Sequence, residues 1–305
     1  MLLVFGSINV DLLFEVPALP RPGETVLCPG YQLAAGGKGA NQAAAAARAG
    51  ATVRMVGHVG DDSFGSFARR ALAAAGVDGT TVATSSRATG IAVIGVDRTA
   101  ENQIMVASGA NLDTSAGQVA DADLAPGVTL LCQNEVRPEA TFALLERATR
   151  RGARTILNLA PAGGLPAAAL RSLDLLVLNE IEAQTALGGA APGDPAALAG
   201  ALAARAALTC VVTLGAGGAL AIGPQGAHRI AALPVEAVDT TGAGDAFVGV
   251  LAAALDQGHD LAAALARASV AAGLACTRIG AQTSQPTAAE IEARLGDLPA
   301  PTPLG

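Results

Sequence analysis

Short apolar runs of β character alternate with Ala/Leu stretches of helical period almost from one end of the chain to the other. The pattern predicts strands over 2–5, 52–57, 129–133, 155–159, 173–178 and 210–214. It predicts helices over 39–49, 64–75, 138–151, 196–206, 243–255 and 261–277. Runs that are apolar at nearly every position suit strands covered on both faces, and the intervening helices supply the crossovers. The expected fold class is therefore α/β, a doubly wound and mostly parallel sheet flanked by helices.

Two segments break this rhythm. Residues 11–35 and 89–107 alternate apolar and polar positions, with a turn signal at Pro20-Arg21-Pro22-Gly23 and no crossover helix after Gly90–Val96. They are expected to be antiparallel strands from two separate insertions, meeting in a small sheet that serves as a lid or an association surface. The stretch 206–227 is uncharged and long enough to cross a bilayer, but five glycines and Pro224 interrupt it, so two core strands around a glycine turn are expected. The N-terminus lacks a basic leader region and reads as a first strand, which points to a cytoplasmic protein that binds no membrane. A single domain over 1–300 is expected, with 301–305 a flexible tail.

Composition narrows the function. The chain of 305 residues carries 19 Lys+Arg against 26 Asp+Glu, a formal charge of −7, and is 51% hydrophobic. That excludes a disordered chain and argues against a nucleic-acid partner, which requires a basic footprint. Aromatic residues are too few, at 2%, to build a stacking platform for single strands. Cys28, Cys132, Cys210 and Cys276 have no paired spacing, so neither a zinc site nor a disulfide framework is expected. The last three lie in apolar runs and read as small buried hydrophobes.

The common phosphate loops are absent. Gly37-Lys38 is followed by Gly39 rather than Ser or Thr, and both Gly37-x-Gly39 and Gly242-x-Gly244 lack the third glycine of a dinucleotide fingerprint. No nucleophile elbow occurs, and His58, His228 and His259 are scattered. The most informative segment is Asp239-Thr240-Thr241-Gly242-Ala243-Gly244-Asp245, where a glycine-rich turn runs into an apolar helix. Small residues at 242–244 leave the helix-start amides bare for an anion. Asp245 beside them is either a first-turn stabiliser or the base that deprotonates a hydroxyl attacking a phosphoryl group.

Four weaker elements accompany it. Gly36-Gly37-Lys38-Gly39-Ala40-Asn41-Gln42 opens a helix with Lys38 and Asn41 on one face, as a ligand grip or an ordinary glycine turn. Asn9 and Asp11, after the first strand, suit either vicinal hydroxyls or a turn. Asn179 and Glu182 suit either a hydrated Mg²⁺ or a capping box. Thr213–Gly218 either wraps a nucleotide or forms a plain β-turn. Their shared placement at strand ends and helix starts favours one composite site.

Together with Thr277–Gln282, these segments occur in an order and over a span that resemble the ribokinase/PfkB family of sugar kinases. The resemblance implies a ribokinase-like fold with a β-sheet lid, often shared in a homodimer, and ATP-dependent phosphorylation of a sugar, D-ribose at O5. Fructose, ketodeoxygluconate and nucleosides are the alternative acceptors of related kinases, and a non-catalytic sugar sensor is the alternative of another class. The resemblance makes Asp245 the base and gives the anion hole to Gly242, Ala243 and Gly244. It assigns the sugar to Asn9, Asp11, Gly37, Lys38, Asn41, Glu135 and Asp245. Nucleotide and Mg²⁺ fall to Asn179, Glu182, Thr213, Leu214, Gly215, Ala216, Gly217, Gly218 and Gly244, with Ser269 near the adenine. A K⁺ site is implied at Asp239, Thr241, Ala275, Arg278, Gly280 and Ser284, several through backbone carbonyls. Asn134 and Ser269 depart from the residues usual in that family.

Overall fold

The computed structural model describes residues 1–303 except 100, 190–192 and 225. In chain order its elements are β1 (Leu2–Phe5), β2 (Asn9–Glu15), β3 (Gln32–Gly36), α1 (Lys38–Arg48), β4 (Val53–Gly60), α2 (Ser63–Ala74), β5 (Val82–Ser85), β6 (Gly90–Val96) and β7 (Asn102–Ala107). There follow β8 (Thr129–Gln133), α3 (Pro138–Arg151), β9 (Arg154–Asn158), α4 (Ala167–Leu170), β10 (Leu175–Asn179), α5 (Glu180–Ala186), α6 (Pro195–Ala204), β11 (Thr209–Thr213), β12 (Ala219–Gly223) and β13 (Gly226–Ile230). The chain ends with α7 (Ala243–Asp256), α8 (Leu261–Ala275), α9 (Ala288–Arg294) and β14 (Thr302–Pro303).

The main sheet has the order β14-β13-β12-β11-β10-β9-β8-β1-β4-β5. From β11 to β5 every pairing is parallel, while β12, β13 and β14 add an antiparallel edge. Alternation along β1 shows how both faces are buried. Leu2 and Val4 join a core made with α1, α2, α7, α8 and α9, whereas Leu3 and Phe5 join one made with α3, α4, α5 and α6. Small residues bring α1 and α7 unusually close. A Cβ on Gly249 of α7 would lie 2.4 Å from the Gln42 carbonyl of α1, so the contact requires glycine.

The second sheet, β3-β2-β6-β7, gathers the two insertions as expected. Its hairpin pairings β2–β3 and β6–β7 are antiparallel, but the central pairing β2–β6 is parallel, which corrects the all-antiparallel expectation. Pairing between distant segments leaves no trace in local periodicity, so strand direction was not readable there. The stretch 206–227 forms β11 and β12 around the Gly215–Gly218 turn, and additionally the start of β13. The expected tail is in part a strand, since Thr302 and Pro303 pair with Arg229 and His228, and 304–305 lie outside the described residues. Among the described residues, no helix is long and apolar enough to cross a membrane.

Candidate active site

The carboxyl ends of β1, β8, β9, β10 and β11 lie side by side, and α1, α5 and α7 start on the same edge. Chain segments leaving an open parallel sheet there create the crevice in which ligands sit. Two glycines shape it. Gly37 caps α1 at φ 88°, and a Cβ there would meet the backbone of Asn9 at 2.7 Å. Gly242 caps α7 at φ 76°, where a Cβ would lie 2.8 Å from the Ala281 Cα. Both take left-handed conformations that other residues adopt only at a cost.

Asp245 is buried in the first turn of α7. Its Oδ1 accepts from Gln42 Nε2 at 2.9 Å, and its Oδ2 accepts from Asn41 Nδ2 at 3.0 Å. Lys38 Nζ stands 4.0 Å from Oδ1, and the Asp245 charge holds the Lys38 ammonium above its ordinary range against the opposing effect of burial. Of the helix-start amides, that of Ala243 is spent on the Thr240 carbonyl at 3.2 Å. The amides of Gly242, Gly244 and Asp245 have no protein acceptor among the described residues. The expected anion cradle at 242–244 thus keeps the unpaired amides of Gly242 and Gly244, with that of Asp245 beside them, while that of Ala243 is engaged. A Cβ built on Gly244 meets nothing within 4 Å among the described residues.

Beside this cradle lies a set of unspent polar atoms. Glu135 uses Oε2 to accept from Ser7 Oγ at 2.6 Å and from the Lys38 amide at 2.9 Å, leaving Oε1 without a donor among the described residues. Asn9 uses Oδ1 to accept from Asn111 Nδ2 at 2.7 Å, and its own amide nitrogen has no protein acceptor among those residues. Asp11 sits on β2 against Gly36, and no protein donor among the described residues bonds to it. Burial, then the charges of Glu135 and Asp245, push its carboxyl up to about 6. Buried and half-buried acceptors and donors without protein partners among the described residues, gathered at one strand edge, suit a polyhydroxylated ligand.

On the other side of the α7 start is a cavity of about 580 Å³. Thr213, Gly215, Ala216 and Gly218 form one wall, Ala243, Gly244 and Phe247 another, and Ser269, Ala272, Gly273 and Cys276 of the α8 region a third. The extended segment from Ala232 to Ala237 closes it. Gly217 and Leu214 shape the wall through turn hydrogen bonds without lining it. The Ser269 hydroxyl donates to the Ala231 carbonyl at 2.6 Å, so it lines the cavity with its donor already used. Cys276, expected to be a buried hydrophobe, is instead half-buried in this wall, whereas Cys132 and Cys210 are buried as expected.

Asn179 and Glu182 form the reciprocal capping box at the start of α5, with both bonds at 2.8 Å. The box occupies only Oε2 of Glu182. Burial raises the Glu182 carboxyl, and the charges of Lys38 and Asp245 act on it as well, which places it within electrostatic reach of the cleft. A carboxylate with one oxygen outside the capping box fits Mg²⁺, which keeps most of its waters and takes one or two protein carboxylates. Among the described residues no three His, Cys, Asp or Glu side chains converge on a point that could hold a metal outright.

The segments around 239 and 280 are tied by Asp239, whose Oδ1 accepts from the Thr241 amide at 2.9 Å and whose Oδ2 accepts from the Gly280 amide at 2.8 Å. Burial opposes ionisation of Asp239, but these bonds keep its carboxyl below the ordinary range. The Arg278 side chain pairs with Glu290, and its amide donates to the Ala275 carbonyl at 3.3 Å. Ser284 is fully buried, its hydroxyl donating to the Ala281 carbonyl at 3.3 Å. With the Arg278 charge paired to Glu290 and Asp239 tying Thr241 to Gly280, the residues expected to hold K⁺ lie on two joined segments whose donors are carbonyl and carboxylate oxygens, the chemistry that suits a weakly hydrated monovalent cation.

Sequence reasoning gave no role to Ser7, Gln42, Asn111, Gln133, Asn158 or Gln282. Gln133 and Asn158 carried a usable signal, since each is a polar residue that follows an apolar run, Leu130–Cys132 or Ile156–Leu157, at the carboxyl end of its strand.

The chain matches the family model described as "pfkB family carbohydrate kinase" over residues 1–288. It is 37% identical over 294 residues to a ribokinase of Haemophilus influenzae, covering 95% of this chain and 96% of that protein. It is 35% identical over 302 residues to a deoxyribokinase of Salmonella typhi, covering 93% and 95%. The solved structure of Arabidopsis thaliana ribokinase complexed with ribose and ATP superposes with a TM-score of 0.88 at 30% identity, covering 96% of this chain and 98% of that one.

Proposed function

As the chain belongs to the pfkB family of carbohydrate kinases and is a sugar kinase, we propose that it transfers the γ-phosphoryl group of ATP to the 5-hydroxyl of D-ribose, with Asp245 as base. The observation that carries this reading is the junction at α7. One helix start offers bare amides to an anion, and the buried carboxylate in its first turn borders a cleft of unspent hydrogen-bonding atoms.

In the proposed reaction, Asn9, Asp11, Lys38, Asn41 and Glu135 hold the ribose hydroxyls, with Gly37 giving the backbone room to approach. Asp245 accepts the proton from O5 as that oxygen attacks the γ-phosphorus and the bond to the β-phosphate oxygen breaks, yielding ribose 5-phosphate and ADP. The amides of Gly242, Gly244 and Asp245 stabilise charge developing on the transferred group. The cavity between Thr213–Gly218 and α8 receives adenine and its ribose. Asn179 and Glu182 would hold hydrated Mg²⁺, which shields charge on the triphosphate. Asp239, Thr241, Ala275, Arg278, Gly280 and Ser284 would hold K⁺, which supports the shape of the α7 start.

Two further features complete the proposal. The apolar residues Ile104, Met105 and Val106 of β7 are more than half exposed at a free sheet edge, which supports a homodimer joined through the lid. Sedimentation velocity should then find two chains per particle, and a monomer at assay concentration would remove this element. The absence of a membrane-crossing helix among the described residues and the sugar-kinase family support action in the cytoplasm, which localisation of a tagged chain tests.

The likeness to a deoxyribokinase favours 2-deoxyribose as a second acceptor. ADP release measured with ATP, Mg²⁺ and a panel of ribose, 2-deoxyribose, fructose, ketodeoxygluconate and adenosine separates these readings. The highest kcat/KM is expected with ribose. A nucleoside preferred over every pentose would overturn the acceptor assignment.

A further inference from the structure

The orientation of the Asp245 carboxylate is set by a buried chain of side-chain amides whose polarity follows from one backbone carbonyl. The Val177 carbonyl can only accept, so Asn158 must turn Nδ2 to it, at 3.1 Å. Asn158 therefore offers Oδ1 to its other neighbour, which obliges Gln42 to present Nε2, at 2.9 Å. The same Nε2 reaches Asp245 Oδ1 at 2.9 Å, while Gln42 Oε1 accepts from Gln133 Nε2 at 2.8 Å.

Gln42, Gln133 and Asn158 are all buried, so water cannot substitute for a missing partner. Gln133 Oε1 has no partner among the described residues and is directed at Gly6, where a built Cβ would lie 1.9 Å away. An orphaned buried carbonyl is a cost, and here it accompanies the Gln133 bond that holds Gln42.

Resting on the reading of Asp245 as base, we propose that Gln42, held by Asn158 and Gln133, is a positioning residue that aims the Asp245 carboxylate at the sugar hydroxyl. Asn41 fixes the second oxygen, and its own orientation is set by Gln282, whose Nε2 donates to Asn41 Oδ1 at 3.1 Å. Freed from Gln42, the carboxylate rotates about its remaining bond. Misplacement of a reacting group by about 1 Å costs up to 100-fold in rate.

The test uses the full chain with Gln42→Met, a near-isosteric change without polar atoms, assayed with ATP, Mg²⁺ and whichever sugar the wild type turns over fastest. The expected kcat is lower by about 10- to 100-fold, with sugar affinity by calorimetry within about threefold of wild type. The acid limb of the kcat–pH profile should also move to higher pH, because a donor favouring the ionised carboxylate is gone. Should Gln42→Met fail to fold, Asn158→Leu carries the test, since the Val177 carbonyl retains the Leu159 amide at 3.0 Å. It should give a smaller fall in kcat with the same direction of pH shift. An unchanged kcat, or kcat and sugar affinity falling together with an unmoved acid limb, overturns the proposal. A wild type that prefers another sugar would touch only the acceptor assignment. Full activity in Asp245→Asn would instead remove the base on which the inference stands.

Discussion

Asn41 Nδ2 donates to Asp245 Oδ2 across 3.0 Å, although the two residues are 204 positions apart in the chain. That bond joins the two glycine-led helix starts, the proposed sugar grip on α1 and the proposed base on α7. The base should be separable from the grip. Asp245→Asn keeps size and buried shape while removing the proton acceptor, so kcat should fall by about 10²- to 10⁴-fold. Sugar and ATP binding measured by calorimetry should persist. Near-normal turnover would take the role away from Asp245.

Gly242 and Gly244 should respond differently to the same methyl group. At Gly242, with φ 76° and Ala281 at 2.8 Å from the built Cβ, alanine strains the backbone and should cost about 1–3 kcal/mol of stability together with activity. At Gly244 the built Cβ meets nothing, so stability should stay within about 0.5 kcal/mol. Gly244 nonetheless lines the cavity proposed for the nucleotide, so the methyl enters that space and turnover with ATP should fall by about tenfold or more. Thermal melts and initial rates on both variants check the contrast. Equal effects at the two positions would contradict it.

Asp11 predicts a pH dependence with a defined sign. Its folded carboxyl lies at about 6 against an ordinary 3.8, so between these values the folded protein keeps a proton that the unfolded chain has lost. Stability contributed by this group therefore declines as pH rises through that window and does not change further above it. Asp11→Asn should raise the melting temperature of the free protein at pH 7.5 and leave it nearly unchanged at pH 4. Sugar hydroxyls donating to Asp11 favour its ionised form, so ribose should bind more tightly at pH 7 than at pH 5 and release a proton near pH 6. Calorimetry in two buffers of different ionisation heat measures that release. Affinity that is flat with pH would exclude Asp11 from the sugar grip.

The Asp239 bridge between Thr241 and Gly280 leads to an ion-dependence experiment. Rates in potassium chloride should exceed those in tetramethylammonium chloride at equal ionic strength. In Asp239→Ala the ratio between the two salts should collapse towards one, whatever the absolute rate. Indifference of the wild type to the cation would discredit the site.

Much of the architecture was legible because buried parallel strands are short, mostly apolar and largely separated by helices. Leu2–Phe5, Thr129–Gln133 and Pro138–Arg151 coincide with the observed elements, and most others shift by only a few residues at an end. The parallel β2–β6 pairing was not legible, and neither were β13 and β14, because their partners are set by tertiary contact rather than by local pattern. At the site, glycines marked the helix starts, since Gly37 and Gly242 are required by positive φ. The engagement of the Ala243 amide with Thr240 depends on a turn geometry that composition does not encode. The amide chain through Gln133 and Asn158 was hidden for another reason. Each residue is ordinary by itself, and only the adjacency of β8 and β9 brings both to Gln42.

The most direct test is a crystal structure of the protein with ribose and a non-hydrolysable ATP analogue. The terminal phosphate is expected on the amides of Gly242, Gly244 and Asp245, with the ribose 5-hydroxyl about 3 Å from an Asp245 carboxylate oxygen. A triphosphate bound away from the start of α7, or a sugar whose 5-hydroxyl faces away from Asp245, would contradict the account.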